Sequence, residues 1–199
     1  MSHTVHTVRP LPERLAARLP AAAEVFAASG IEDARIEDVA AATGIPKATL
    51  YYYFSGKEEM LAWLLDEILA SITREVDEAV AAEGTAAERL RAVIRAQFTT
   101  LAEHPATCRI LLSETSRAGR LPEIAAAIRE AFHDPVERLL AAGAADGSLR
   151  PVDVETAAAA TFGAISGVGT HYLLADVELD PERWAADVEA IVLEGLTAP

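Results

Sequence analysis

Residues 35 to 57, Arg-Ile-Glu-Asp-Val-Ala-Ala-Ala-Thr-Gly-Ile-Pro-Lys-Ala-Thr-Leu-Tyr-Tyr-Tyr-Phe-Ser-Gly-Lys, constrain the fold more than any other stretch of this chain. Ile36, Val39 and Ala40 fall on one side of a helix that ends near Thr43, and Gly44 permits a sharp turn. Pro46 fits the first position of the next helix, where its missing N–H costs nothing. That helix reaches about Tyr53. Two short helices joined through a glycine have the layout of a helix-turn-helix DNA reader.

The rest of the chain also reads as helix. It shows no strand alternation of useful length, no repeat and no low-complexity tract, and its heavy use of alanine favours helix. Leu15, Leu19, Ala22 and Phe26 recur at helical spacing, and Gly30 suits the left-handed position past a helix end. Pro20 either kinks this helix or marks its true start, with Glu13 to Arg18 as a separate turn. Ser55 and Glu58 have capping-box spacing ahead of a long helix that runs to about Ala81, with Met60, Leu61, Leu64, Leu65, Ile68 and Ile72 in its stripe. Gly84 breaks the chain, and Thr85 caps a helix to about Glu103. His104-Pro105 and Leu121-Pro122 open two more, and Asp146-Gly147 is a turn. Asp153 caps a small-residue helix to about Leu174, and Asp180 caps the last, with Pro181 at its first position.

A net charge of −14 over 199 residues looks wrong for a partner of nucleic acid until its distribution is examined. Residues 1 to 60 hold six basic and eight acidic side chains, so −12 of the charge lies in residues 61 to 199. Between Val39 and Lys57 there are two lysines and no acid. Charges more than ~8–10 Å away are largely screened at physiological salt, so a local cationic face on an acidic body can still hold phosphate. Cys108 is the only cysteine, which excludes an intrachain disulfide and a cysteine-based zinc site. No apolar run approaches the ~20 residues needed to span a bilayer, and Met1 to Arg9 lack the apolar core of a signal peptide. The expected compartment is the cytoplasm, with no membrane partner.

Lys47, Ala48 and Thr49 sit on the first turn of the second short helix and are candidates for base contact. Lys47 can donate to guanine O6 or N7, and Thr49 can meet a base edge or a thymine methyl. Successive helical residues differ by about 100°, so Tyr51, Tyr52 and Tyr53 cannot all face inward. They form either a core corner with one ring exposed or a phosphate-facing surface. Lys57, in the first turn of the long helix, can hold a phosphate together with that helix's free N–H groups.

Gly44 to Lys57 resembles the recognition-helix signature of TetR-family transcriptional regulators. Val25 to Gly30 and Ile36 to Ala40 resemble that family's first and second helices at the expected spacing. The resemblance covers about residues 18 to 65; beyond it only the layout of helices is similar. The helices read along the chain number about nine, and the resemblance implies a homodimeric, all-α repressor that binds a palindromic double-stranded DNA operator and is released by a small, apolar effector. The implied division is a flexible arm over 1–11, a DNA-binding domain over 12–58 with its helix-turn-helix at about 35–54, and a helical effector-binding and dimerisation domain over 59–199. By motif position, Lys47, Thr49, Tyr51, Tyr52, Tyr53 and Lys57 fall where the family contacts DNA. Arg35 stands where a threonine or serine usually caps the second helix, and it exchanges a cap for a phosphate contact. Pro46 replaces a usual serine.

Residues 157 to 169 of the small-residue helix include Gly163, Ala164, Ser166, Gly167 and Gly169. Such a helix is either tightly packed core or, with Phe162 and Ile165 beside it, a dimer face shared with Trp184, Val188, Ile191 and Val192 of the last helix. Trp63, Phe98, Cys108, Leu111, Leu112, Phe132, Phe162 and Tyr172 are candidates for lining an effector pocket, and each also reads as plain core. His104, His133 and His171, with Glu114 or Asp134, lack a metal-ligand spacing, so neither a metal nor a cofactor is expected. No nucleophile motif or Gly-rich phosphate loop is present. A helical small-molecule-binding or interaction module without DNA-reading activity is the alternative; a helical enzyme finds no support.

Overall fold

A computed structural model describes residues 10–115, 126–175 and 180–196. The protein is all-α: helix α1 (Glu13–Ala16), a 3-10 turn (Leu19–Ala21), α2 (Ala22–Asp33), α3 (Ile36–Thr43), α4 (Lys47–Tyr53), α5 (Lys57–Ala81), α6 (Ala86–Glu103), α7 (Pro105–Thr115), α8 (Asp134–Asp146), α9 (Val154–Ala175) and α10 (Pro181–Glu194). A π-helical turn, Arg129–His133, leads into α8. No strand occurs among the described residues. The start expected at Leu121-Pro122 lies outside them.

The chain divides into two compact units. The first comprises Met1–Ile68 and Ala106–Ser113. Here Pro20 marks a start rather than a kink: α1 stands apart as a single turn, and Pro20 sits in the 3-10 turn that leads into α2. Gly30, at φ 74°, breaks α2 one turn before its end. Leu19, Ala22, Phe26, Val39, Ile45, Leu50, Phe54 and Met60 are buried and form the core that fixes α3 and α4. Pro46 caps α4 rather than opening it, one position from expectation. The start of α5 is also shifted by one. Glu59, not Glu58, accepts from the Ser55 N–H at 2.6 Å and from its hydroxyl at 2.7 Å.

The second unit comprises Leu69–Pro105 and Glu114–Pro199. Helix α6 packs against α8, α9 and α10 through Leu90, Val93, Ile94, Phe98 and Leu101. Its start is a full capping box between Thr85 and Glu88. The Ala86 N–H also donates to Asp146 at 2.9 Å and the Ala87 N–H to Ser148 at 3.2 Å, so the turn after α8 supplies further partners for donors that α6 cannot satisfy itself. Gly147, at φ 78°, makes that turn possible. Asp153 accepts from the Thr156 N–H at 2.8 Å and Asp180 from the Arg183 N–H at 3.0 Å, opening α9 and α10 as expected.

Candidate nucleic-acid interface

The turn between α3 and α4 is fastened from three sides. Gly44 adopts φ 62° and ψ 18°, the left-handed conformation that glycine takes without strain. The Thr43 hydroxyl donates to the Val39 carbonyl at 2.7 Å and accepts from the Ile45 N–H at 3.2 Å, while Ile45 plugs the core. Arg18 closes the third side. Its Nε donates to the Thr43 carbonyl at 2.9 Å, and its Nη2 donates to the Gly44 carbonyl. These carbonyls end α3, where the helix dipole favours a cation. A Cβ at position 44 would run into the Arg18 guanidinium.

Helix α4 presents a polar and aromatic face on this support. Leu50 and the following Phe54 are buried and set its rotation. Lys47 and Ala48 are then exposed, Thr49 and Tyr53 half-buried, and Tyr51 and Tyr52 exposed by 57% and 59%. Tyr52 packs edge-on against Tyr53, with ring centroids 5.0 Å apart. Of the two readings of the tyrosines, the core corner fails: two of the three rings face outward. Arg35 is exposed on extended backbone before α3, and its side chain makes no cap bond.

The two lysines have partners that sequence reasoning missed. The Lys47 ammonium lies 2.7 Å from Oε1 of Glu37, which reaches across from α3. This hydrogen bond holds the Glu37 carboxyl below its ordinary range and raises the Lys47 ammonium. The stretch without acids in the sequence is therefore not without acids in space. Lys57 donates to the Glu32 carbonyl at 2.8 Å and to the Ala34 carbonyl at 2.9 Å, stapling the end of α2 to the start of α5. An ammonium has three donors, so one N–H of Lys57 remains for a phosphate. Arg18 and Lys57 bridge 23 to 26 residues of sequence, a range no local pattern reveals. Glu37 carries a weak signal, as one of two acids in the reader.

The remaining candidates divide between the two units. In the first, Cys108 and Leu111 are buried, and Trp63 and Leu112 half-buried. In the second, Phe98 and Phe132 are buried; Phe132 meets half-buried Phe162 at 5.1 Å, and Tyr172 stacks on Trp184 at 4.1 Å. An open depression of about 450 Å³ in this unit is bordered by Arg95, Thr99, Pro181, Glu182 and Ala185, and by none of the expected pocket residues. The dimer-face anchors require correction. Trp184 and Val188 are only 3% and 1% exposed, and Ile165 is also buried, so these side chains are spent on their own chain. Trp184 packs against Phe98 and Tyr172. Ser166 and Val192 are half-buried, whereas Ile191 and Leu174 are each 73% exposed. A Cβ added at Gly163 or Gly167 would meet nothing within 4 Å, so that side of α9 is bare among the described residues. Among the described residues, no cluster of histidine, cysteine and carboxylate groups could hold a metal, and no helix is long and apolar enough to cross a membrane.

Comparison with known proteins agrees with this geometry. The family model described as bacterial regulatory proteins, tetR family, matches residues 19–64. That of the tetracyclin repressor-like C-terminal domain matches residues 83–196. The fatty acid metabolism regulator protein of Bacillus subtilis is 25% identical over 180 residues, covering 89% of this chain and 93% of that one. The HTH-type transcriptional repressor KstR2 of Rhodococcus jostii is 27% identical over 188 residues, covering 91% and 90%. The solved structure of the ketosteroid transcriptional regulator KstR2 of Mycobacterium tuberculosis superposes with a TM-score of 0.78 at 25% identity, covering 96% of this chain and 98% of that one.

Proposed function

This chain belongs to the tetR family of bacterial regulatory proteins and is a DNA-binding transcriptional regulator under small-molecule control; we propose that it is a cytoplasmic repressor, not an enzyme, whose homodimer is released from a palindromic operator by a lipid-derived, apolar effector. The observation that carries the DNA-reading half is the face of α4. Lys47 and Ala48 lead it, Tyr51 and Tyr52 continue it, and buried Leu50 and Phe54 lock its rotation. Lys47 and Thr49 meet base edges, with Ala48 close against them. Arg35, the tyrosine hydroxyls and the third N–H of Lys57 hold phosphates and fix the register. Matching models over both parts of the chain disfavour a module that has lost its reader.

A palindrome needs two copies, with half-sites roughly 34–36 Å apart. We assign the contact between copies to α9 and α10, where the bare edge at Gly163 and Gly167 allows close approach and Leu174 and Ile191 project. The names of the fatty acid and ketosteroid regulators support an apolar, lipid-derived effector. The aromatic character of the candidate pocket residues of the second unit, Phe98, Phe132, Phe162 and Tyr172, fits such a ligand. The effector acts by binding one body conformation better than the other. Lys57 gives that change a handle on the reader, because a shift of the first turn of α5 pulls on the carbonyls just ahead of α3.

The test is fluorescence anisotropy on a labelled duplex enriched by this protein. Long-chain acyl-CoA esters and steroid-derived acids are titrated beside polar metabolites of similar size. Release by an apolar compound is expected. Release by polar compounds alone would overturn the effector assignment.

A further inference from the structure

The Lys47–Glu37 pair is odd for a DNA-reading surface, because it places a carboxylate 2.7 Å from the ammonium that leads the reading helix. Both side chains are more than half exposed, at 51% and 59%, so burial does not force them together. An exposed pair of this kind contributes little to stability. Its placement suits recognition instead. In the major groove a G·C pair presents guanine N7 and O6 as acceptors and the cytosine N4 amine as a donor beside O6. A donor next to an acceptor on the protein is the complement of that edge.

We propose that Glu37 is a specificity-determining residue, and that the Lys47–Glu37 pair docks intact on the major-groove edge of one G·C pair in each half-site. The atoms allow it. The ammonium has three N–H donors; one is held by Oε1 of Glu37, and two are left for guanine O6 and N7. The carboxylate is acceptor-only, and its Oε2 receives an N–H of cytosine N4. The short contact within the pair brings both side chains to one edge of the reading face, so docking orders them as one unit rather than two. A pair with adenine at this position fails on two counts: its N6 amine confronts the ammonium, and thymine O4 confronts the carboxylate. The proposal rests on the placement of Lys47 at the bases, and it adds a second reader from a different helix.

The experiment is enrichment of palindromes from a random duplex library by the full-length protein, followed by competition between single-position variants of the enriched duplex. The parent is expected to require G·C at one symmetric position. Glu37→Ala should reduce the preference at that position by roughly five-fold or more, the size of one mismatch. Lys47→Ala should lose preference at the same position. Glu37→Gln, whose amide oxygen still accepts from N4, should keep most of it, which separates base reading from loss of charge. Unchanged preference in Glu37→Ala would overturn the proposal, as would losses at different positions in the Glu37 and Lys47 variants. A parent that enriches no sequence would overturn the DNA-reading assignment itself, and this inference with it.

Discussion

Replacing Lys57 with methionine removes an ammonium while keeping most of the aliphatic stem, and so isolates the staple between α2 and α5. The structure gives the ammonium two hydrogen bonds, to the Glu32 carbonyl at 2.8 Å and the Ala34 carbonyl at 2.9 Å. Hydrogen bonds to charged groups contribute ~1.5–3 kcal/mol each where water is excluded. Lys57 is only half-buried, so screening reduces the pair to about 1–2 kcal/mol in total. For a chain of this size, that lowers Tm by roughly 2–8 °C. Urea titrations at one fixed protein concentration should show a lower midpoint with an unchanged slope, the signature of lost stability without a changed unfolded state. The same variant should bind duplexes of any sequence more weakly. Its log K against log salt should be shallower by ~0.9, because one phosphate contact is lost. Parental stability in Lys57→Met would refute the staple. Weaker DNA binding with an unchanged salt slope would refute the phosphate contact.

Three further expectations follow from named contacts. Arg18→Ala frees the carbonyls of Thr43 and Gly44, so it should cost about 1 kcal/mol in urea titrations and weaken operator binding although Arg18 lies outside the reading face; parental operator affinity would refute a role in holding the turn. Asp146 is held below the usual aspartate range, first by the Ser148 side chain and then by the N–H groups of Ala86 and Ser148. A depressed carboxylate stabilises the fold above its unfolded pKa and loses that effect as pH falls through the folded one, so Asp146→Asn should lower Tm at pH 7, with the gap to the parent narrowing as pH falls below the ordinary aspartate range; a constant gap would refute the linkage. Ile191→Asp should convert a dimer to a monomer in sedimentation velocity with little change in helix content, since Ile191 is exposed in the single chain; a dimer unchanged at micromolar concentration would move the interface elsewhere.

Features set by neighbours in sequence were legible from the residues alone. Thr85 with Glu88, Asp153, Asp180, Gly44 and Gly147 each act within four residues, and each stands where its residue type predicts. The errors of one position, Pro46 as cap and Glu59 in place of Glu58, arise because a helix start shifts by one residue at little cost. Contacts across helices were not legible. Arg18 and Lys57 reach carbonyls more than 20 residues away, and Glu37 meets Lys47 only because the Gly44 turn folds α3 back toward α4. The last helix shows a third limit. Its stripe of Trp184, Val188 and Ile191 marks apolar residues but not which surface covers them; α6 takes Trp184 and Val188 into the chain's own core and leaves Ile191 outside.

The central claim is that α4, positioned by the Gly44 turn, reads DNA as one of two symmetric copies. Enrichment from a random duplex library by the full-length protein, scored at physiological salt, tests it most directly. A palindrome is expected whose half-sites lie one helical turn or a multiple of it apart, with loss of that enrichment when Lys47 and Thr49 are both replaced by alanine. An enriched sequence without two-fold symmetry, or an undiminished palindrome in the double variant, would contradict it.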